Sequence, residues 1–247
     1  RSSDLNGGAP IAAIKMGKKD NDGAEKILGN SFSMLIIISI ILTIGFSMFK
    51  EPILMAFGAS EATIGYATGY LGIYLLGTIF VQLSLGINPY INTQGFAKFG
   101  MITVLIGAVI NIVLDPIFIF GLDMGVKGAA LASVIGQFGS AVWALKFLFG
   151  KKSILRIRKK YLMPDIKIVG SILALGVSPF IMQSTECLVL ISLNNQLLKY
   201  GGDLAVGAMA IMNSVMQIML MPLMGLTMGA QPILSYNYGA NKMDRVG

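Results

Sequence analysis

The chain has 247 residues, 55% of them hydrophobic and 13% charged, with a mean hydropathy of +0.74 and a net charge of +7. A soluble domain carries roughly 25% charge, so a soluble enzyme and a disordered chain are both disfavoured and a polytopic all-α membrane protein is predicted. With no His and a single Cys187, the commonest general base is missing, and a disulfide framework or a Cys-based zinc site is excluded.

Six apolar runs follow one another. The first, Ser31 to Phe49, has no charge. The second runs uncharged from Ala62 to Ala97, with an apolar core about Tyr66 to Ile87 that ends at Asn88-Pro89. The third spans Gly100 to Gly121, interrupted only by Asp115. Between Lys127 and Lys146 lie 18 uncharged residues, about 27 Å of helix at ~1.5 Å per residue and close to a hydrocarbon core. The fifth run, Ile168 to Leu198, contains Glu186, and the sixth stays uncharged from Leu204 through Tyr236. No water in the bilayer core can satisfy backbone groups, so each run is predicted to be a helix.

Loop charge orients these spans. The loops before Gly29, at Asn88–Phe99, at Gly150–Lys167 and at Asn237–Gly247, with Lys146, hold 16 of the 19 Lys and Arg, against Lys50, Lys127 and Lys199 on the other side. The positive-inside bias makes the first set cytoplasmic. The densest block, Lys151 to Lys160, therefore reads as a topology signal and lipid contact and not as a nucleic-acid site.

A short internal repeat brackets the spans. Pro10 and Gly17 match Pro232 and Gly239 at a constant offset of 222 residues. Six intervening spans would leave both copies facing one way, which is a parallel repeat about an axis normal to the membrane. The chain is then expected to be a fragment of a two-lobed protein.

Ionisable groups inside spans are costly and mark function by default. Asn111 and Asp115 are four apart on one helix face. Asp115 precedes the turn at Asp123-Met124-Gly125 by about as much as Ser133 follows it, so both reach similar depth, with Gln137 on the face of Ser133. A carboxylate, a carboxamide oxygen and a hydroxyl at one depth suit a hard cation or a proton. Pro116 removes a backbone donor beside them. Further on, Gln183 and Glu186 share a face near mid-bilayer, and Asn213 and Gln217 share another with Met209, Met212, Met216 and Met219. Flexible thioethers suit a pocket that accepts varied shapes. Pro222 and Pro232 are expected to bend the last span. Gly150-Lys151-Lys152-Ser153 has the tail of a phosphate-binding loop, but Leu145 replaces the glycine such a cradle needs, so no ATP-driven engine is expected. An intramembrane enzyme would need a nucleophile–base pair or a metal cluster, which two isolated acids do not make.

The stretches Asn111-Ile-Val-Leu-Asp115-Pro116 with Met124-Gly-Val-Lys-Gly-Ala-Ala, and Gly229-Ala-Gln-Pro-Ile-Leu-Ser-Tyr-Asn-Tyr-Gly239, closely resemble the multidrug and toxic compound extrusion transporters. That resemblance implies twelve helices in two six-helix lobes, with this chain running from the tail of helix 2 through helix 8. The chain would divide into 1–149, an N-terminal lobe without its first helix; 150–167, a cytoplasmic linker; and 168–247, part of the C-terminal lobe. It implies a monomeric antiporter in the bacterial cytoplasmic membrane that exports organic cations or drugs in exchange for Na⁺ or H⁺, with no cofactor and no nucleic-acid partner. The family's cation site maps to Asp115, Asn111 and Ser133, with Asp115 and Asn111 as Na⁺ ligands. Gln137, Gln183, Glu186, Asn213, Gln217, Met212 and Met216 are the expected substrate cavity. The chain departs from the family at Asn92-Thr-Gln-Gly95, which lacks the usual charges, and at Ser133, where Thr is common; the site's other acid would lie on the first helix. A related reading is a lipid-linked oligosaccharide flippase, which would want basic residues in its cavity; another is an inactive fragment.

Overall fold

A computed structural model describes residues 8–245, apart from 58, 60 and 62 and the side chain of 203. Residues 1–7, ahead of the Pro10 end of the sequence repeat, lie outside the described residues. All regular structure among the described residues is helical: α1 (Gly8–Gly17), α2 (Asn21–Met48), α3 (Lys50–Ala56), α4 (Ile64–Leu76), α5 (Thr78–Thr93), α6 (Ala97–Pro116), α7 (Val126–Phe149), and then α8 (Ile166–Gly202) and α9 (Leu204–Gly239). The helices α2, α6, α7, α8 and α9 are each long and apolar enough to cross a membrane, and α4 with α5 makes a sixth candidate, bent by 56°.

That bend differs from the continuous second span the uncharged run predicts. It falls at Gly77, where an added Cβ would lie 2.5 Å from Val134 Cγ2. The chain kinks where Val134 of α7 packs against it, and uncharged text carries no mark of such an approach. Pro89, expected to end the span, sits inside α5, which continues to Thr93. Pro116 behaves as its missing N–H predicts: α6 gives way to a wider π-turn over Ile117–Gly121. A tight reversal through Asp123 (φ 52) and Gly125 (φ 54) then starts α7. Pro222 and Pro232 lie within the helical run of α9, and the non-helical residue is Gly202 (φ 63) between α8 and α9.

Burial is uneven. The closed core sits at the basic end, where Ala12, Leu28, Ile87, Ile91, Leu148 and Leu155 pack together. The middles of the spans expose large apolar side chains such as Ile41, Ile44 and Ile112, as surfaces that face lipid do.

The basic segment 150–165 exposes its charges, but its backbone is tied to the bundle. Gln94, buried at the end of α5, accepts three hydrogen bonds at Oε1, from Ser153 Oγ (2.9 Å), Ile154 N (2.7 Å) and Leu155 N (2.9 Å). Asn30 Oδ1 accepts from Asp165 N at 2.6 Å, and Ser33 Oγ donates to Leu162 O. Buried Glu25 accepts from Arg156 N and sits 2.6 Å from Arg158 Nε. Lys26 pairs with Asp165 at 2.8 Å. That hydrogen bond, with the Lys167 N–H, holds the Asp165 carboxyl below the usual carboxylate range, so it remains charged at neutral pH. Gln94→Ala would leave two backbone N–H groups without acceptors, at about 1–3 kcal/mol each. The expected outcome is that trypsin cuts within Lys151–Lys160 at least about thirtyfold faster, the factor that ~2 kcal/mol of local opening implies. Gln94→Glu keeps the accepting oxygen but loses the Nε2 hydrogen bond to Tyr90 O (3.0 Å), so it should fall between wild type and Gln94→Ala in the same digestion.

The two copies of the sequence repeat meet. A Cβ on Gly17 would collide with the Tyr236 carbonyl oxygen, and one on Gly239 with the Ile14 carbonyl oxygen. Ile14 and Tyr236 are themselves related by the offset of 222 residues, so the contact is reciprocal, as at a twofold axis. Together with Ile168 and Ile172 against the core, this crossing joins α8 and α9 to the rest of the chain at the basic end. At the other end Asn195 Nδ2 reaches Ala56 O at 3.4 Å.

Candidate functional site

The α6–α7 hairpin is built on small residues. A Cβ on Gly136 would lie 2.7 Å from the Gly107 carbonyl oxygen, and Ser140 Oγ donates to Thr103 O at 2.7 Å. Only glycines let two backbones approach this closely. The consequence appears one turn further along. Asn111 on α6 comes within reach of Ser133 on α7, and its Nδ2 donates to Ser133 Oγ (3.3 Å) and to Asp115 Oδ1 (3.3 Å). The three residues singled out by depth and spacing therefore form one connected group of half-buried side chains.

A cavity of about 310 Å³ opens beside it, lined by Asn111, Ser133 and Gln137 together with Tyr70, Tyr74 and Ser84. Asp115 lies one turn along α6 from Asn111 and does not itself line this space; Asn111 connects it to the cavity. Gln137 Oε1 is held by the Ser84 hydroxyl at 2.6 Å, so α5 fixes its orientation. Sequence reasoning missed Ser84, Tyr70 and Tyr74. Neutral polar residues in uncharged runs carry no cost that flags them, and only the partner requirement of Gln137 hinted that one was needed.

The remaining expected cavity residues form a separate set. Gln183 Nε2 donates to Glu186 Oε2 at 2.8 Å on α8, the same-face pair that their spacing predicts. Met212, Met216 and Gln217 stand exposed on α9, with Asn213 half-buried. The structure does not bring these residues to Asp115, because α8 and α9 join the bundle mainly at its basic end and present open faces along most of their length.

A family model for MatE matches residues 5–117 and 179–247. The multidrug export protein MepA of Staphylococcus aureus is 27% identical over 239 residues, which is 97% of this chain and 52% of that protein. MepA of Staphylococcus saprophyticus is 28% identical over 238 residues, 96% of this chain and 52% of that protein. The chain thus spans about half the length of these curated relatives. Among solved structures, that of the MATE multidrug transporter DinF-BH is similar at a TM-score of 0.90 and 35% identity, over 96% of this chain and 53% of that one.

Proposed function

Because the chain belongs to the MatE family of multi-pass membrane transporters, we propose that it forms part of an antiporter that exports organic cations or drugs in exchange for Na⁺ or H⁺. The observation that carries this is the Asn111 amide bridging Asp115 and Ser133. In this arrangement two amide hydrogens occupy the oxygens a cation would need. Turning the carboxamide by 180° exchanges nitrogen for oxygen, and the group then offers a carboxylate, an amide oxygen and a hydroxyl to Na⁺. A proton would instead go to the Asp115 carboxylate and leave it a donor. Either event changes the charge one helical turn from the cavity wall at Asn111, and a cationic substrate binds less well when that negative charge is neutralised. A bound ion biases the two access states only through its difference in affinity between them.

On this reading 1–149 and 168–247 belong to two lobes joined by 150–167, and the transporter acts as a monomer with no cofactor beyond its coupling ion. The basic face is cytoplasmic, in a bacterial cytoplasmic membrane. Glu186 and Gln183, with Asn213, Gln217, Met212 and Met216, contribute the wall of the substrate path on the second lobe.

The test uses membrane vesicles carrying the protein expressed from its native gene and a fluorescent organic cation. A tenfold Na⁺ gradient, about 1.4 kcal/mol, or an equal proton gradient is imposed. One of the two should drive the cation against its own gradient. Transport indifferent to both would overturn the coupling.

A further inference from the structure

A second cavity, of about 210 Å³, lies at the basic end between the start of α6 and the end of α7. Its floor is aromatic: Phe99 stacks on Trp143 with centroids 6.2 Å apart and contacts Phe147 at 4.9 Å. Its rim is Lys146, Lys151 and Lys152. The indole N–H of Trp143 is buried and makes no hydrogen bond among the described residues.

Charge pairing isolates this rim. All ion pairs among the described residues involve Asp20, Asp22, Glu25 or Asp165, which take Lys15, Lys160, Arg158 and Lys26. Lys146, Lys151 and Lys152 have no carboxylate partner there. The backbone that carries Lys151 and Lys152 is fixed all the same, because Gln94 anchors Ser153 and the two residues after it. Along α7, Phe138 and Val142 are exposed and fall on the same helix face as Lys146, on its membrane side. A positive rim above an aromatic floor, continued by an apolar stripe into the membrane span, is complementary to a molecule with an anionic head and hydrocarbon chains.

We propose that this cavity binds an anionic phospholipid. Its phosphate would sit among Lys146, Lys151 and Lys152, and its chains along Phe138 and Val142, which lead from Lys146 into the span. Lysines near an anionic headgroup contribute roughly fivefold each in affinity, so the three set an expectation of about a hundredfold.

The test is native mass spectrometry of the detergent-purified protein with phosphatidylglycerol or phosphatidylcholine added in turn, and thermal melting alongside. Wild type should retain phosphatidylglycerol and release phosphatidylcholine. The triple substitution Lys146→Gln, Lys151→Gln, Lys152→Gln should weaken phosphatidylglycerol retention about a hundredfold without lowering the melting temperature, since the three side chains are exposed. Trp143→Phe leaves a smaller aromatic floor and should weaken it by a smaller factor. A matched triple on the same face, Lys18→Gln, Lys19→Gln, Lys159→Gln, should leave it within about threefold. Equal loss in the matched triple would reduce the effect to general surface attraction and overturn the site. Equal retention of phosphatidylcholine, or displacement of the lipid by millimolar inorganic phosphate, would overturn the lipid assignment.

Discussion

Asp115→Asn should abolish gradient-driven export while leaving the protein folded. The substitution is close to isosteric. Its carboxamide oxygen can still accept from Asn111 Nδ2, as Asp115 Oδ1 does at 3.3 Å, so a stability change of no more than about 1 kcal/mol is expected. What disappears is the carboxylate of the Asn111–Asp115–Ser133 group. Interactions of a charged group with a bound ion or its hydrogen-bonding partners are worth about 1.5–3 kcal/mol, which corresponds to about a ten- to 150-fold loss of ion affinity, and a neutral amide no longer takes up the proton or balances the ion that drives export. Transport of the fluorescent cation in vesicles, with a melt of the purified protein, checks both halves. Wild-type driven rates in the variant would exclude Asp115 as the coupling group. Ser133→Thr should keep activity and Ser133→Ala should lose part of it, because the hydroxyl is what that position contributes.

A second large effect is expected where α1 crosses α9. Gly239→Val places a Cβ against the Ile14 carbonyl, which is backbone and cannot rotate away as a side chain could. Overpacking of this kind costs about 1–3 kcal/mol in cores, and here relief requires the two helices to separate. Gly17→Ala and Gly239→Ala report on the same crossing from its two reciprocal sides. Once one has pushed the helices apart, the other meets less resistance, so the double variant should be destabilised by at least ~1 kcal/mol less than the sum of the singles. Equilibrium unfolding in detergent measures the three values, and additivity within ~0.5 kcal/mol would show that the two contacts are independent.

The parts of the fold legible in the sequence are those where a cost leaves a mark. Asp115 stood out because a carboxylate inside an apolar run is expensive, and Ser133 followed from counting equal distances about the Asp123–Gly125 reversal. The repeat was a short match, and it acquired meaning through Gly17 and Gly239, whose lack of a side chain is what their reciprocal contact requires. Other features depend on partners distant in the chain. Ser84 lies 53 residues before Gln137, and Gln94 about 60 before the segment it anchors. Nothing local distinguishes either from a packing residue. The basic segment shows the same dependence: its Lys and Arg carry the topology signal, but the acceptors that bind its backbone sit in α2 and at the end of α5, far away in the chain. Gly77 shows the same limit, since a glycine in an uncharged run marks a bend only when the opposing Val134 is known.

The tying of 150–165 to α2 and α5 has a mechanical consequence. With that strap fixed, α8 and α9 leave the bundle at two nearby places, Asp165–Ile166 and the Gly17–Gly239 crossing. Two fixed points define a line, so a rigid swing that preserves both must turn about that line. The pivot then lies at the basic end and the lever arm is the thickness of the membrane. Over a core of ~30 Å, a turn of about 10° carries the opposite ends of α8 and α9 some ~5 Å, while the pivot side chains scarcely move. The hydrogen bond from Asn195 to Ala56 O stands at that far end, and it is the contact such a swing would break first.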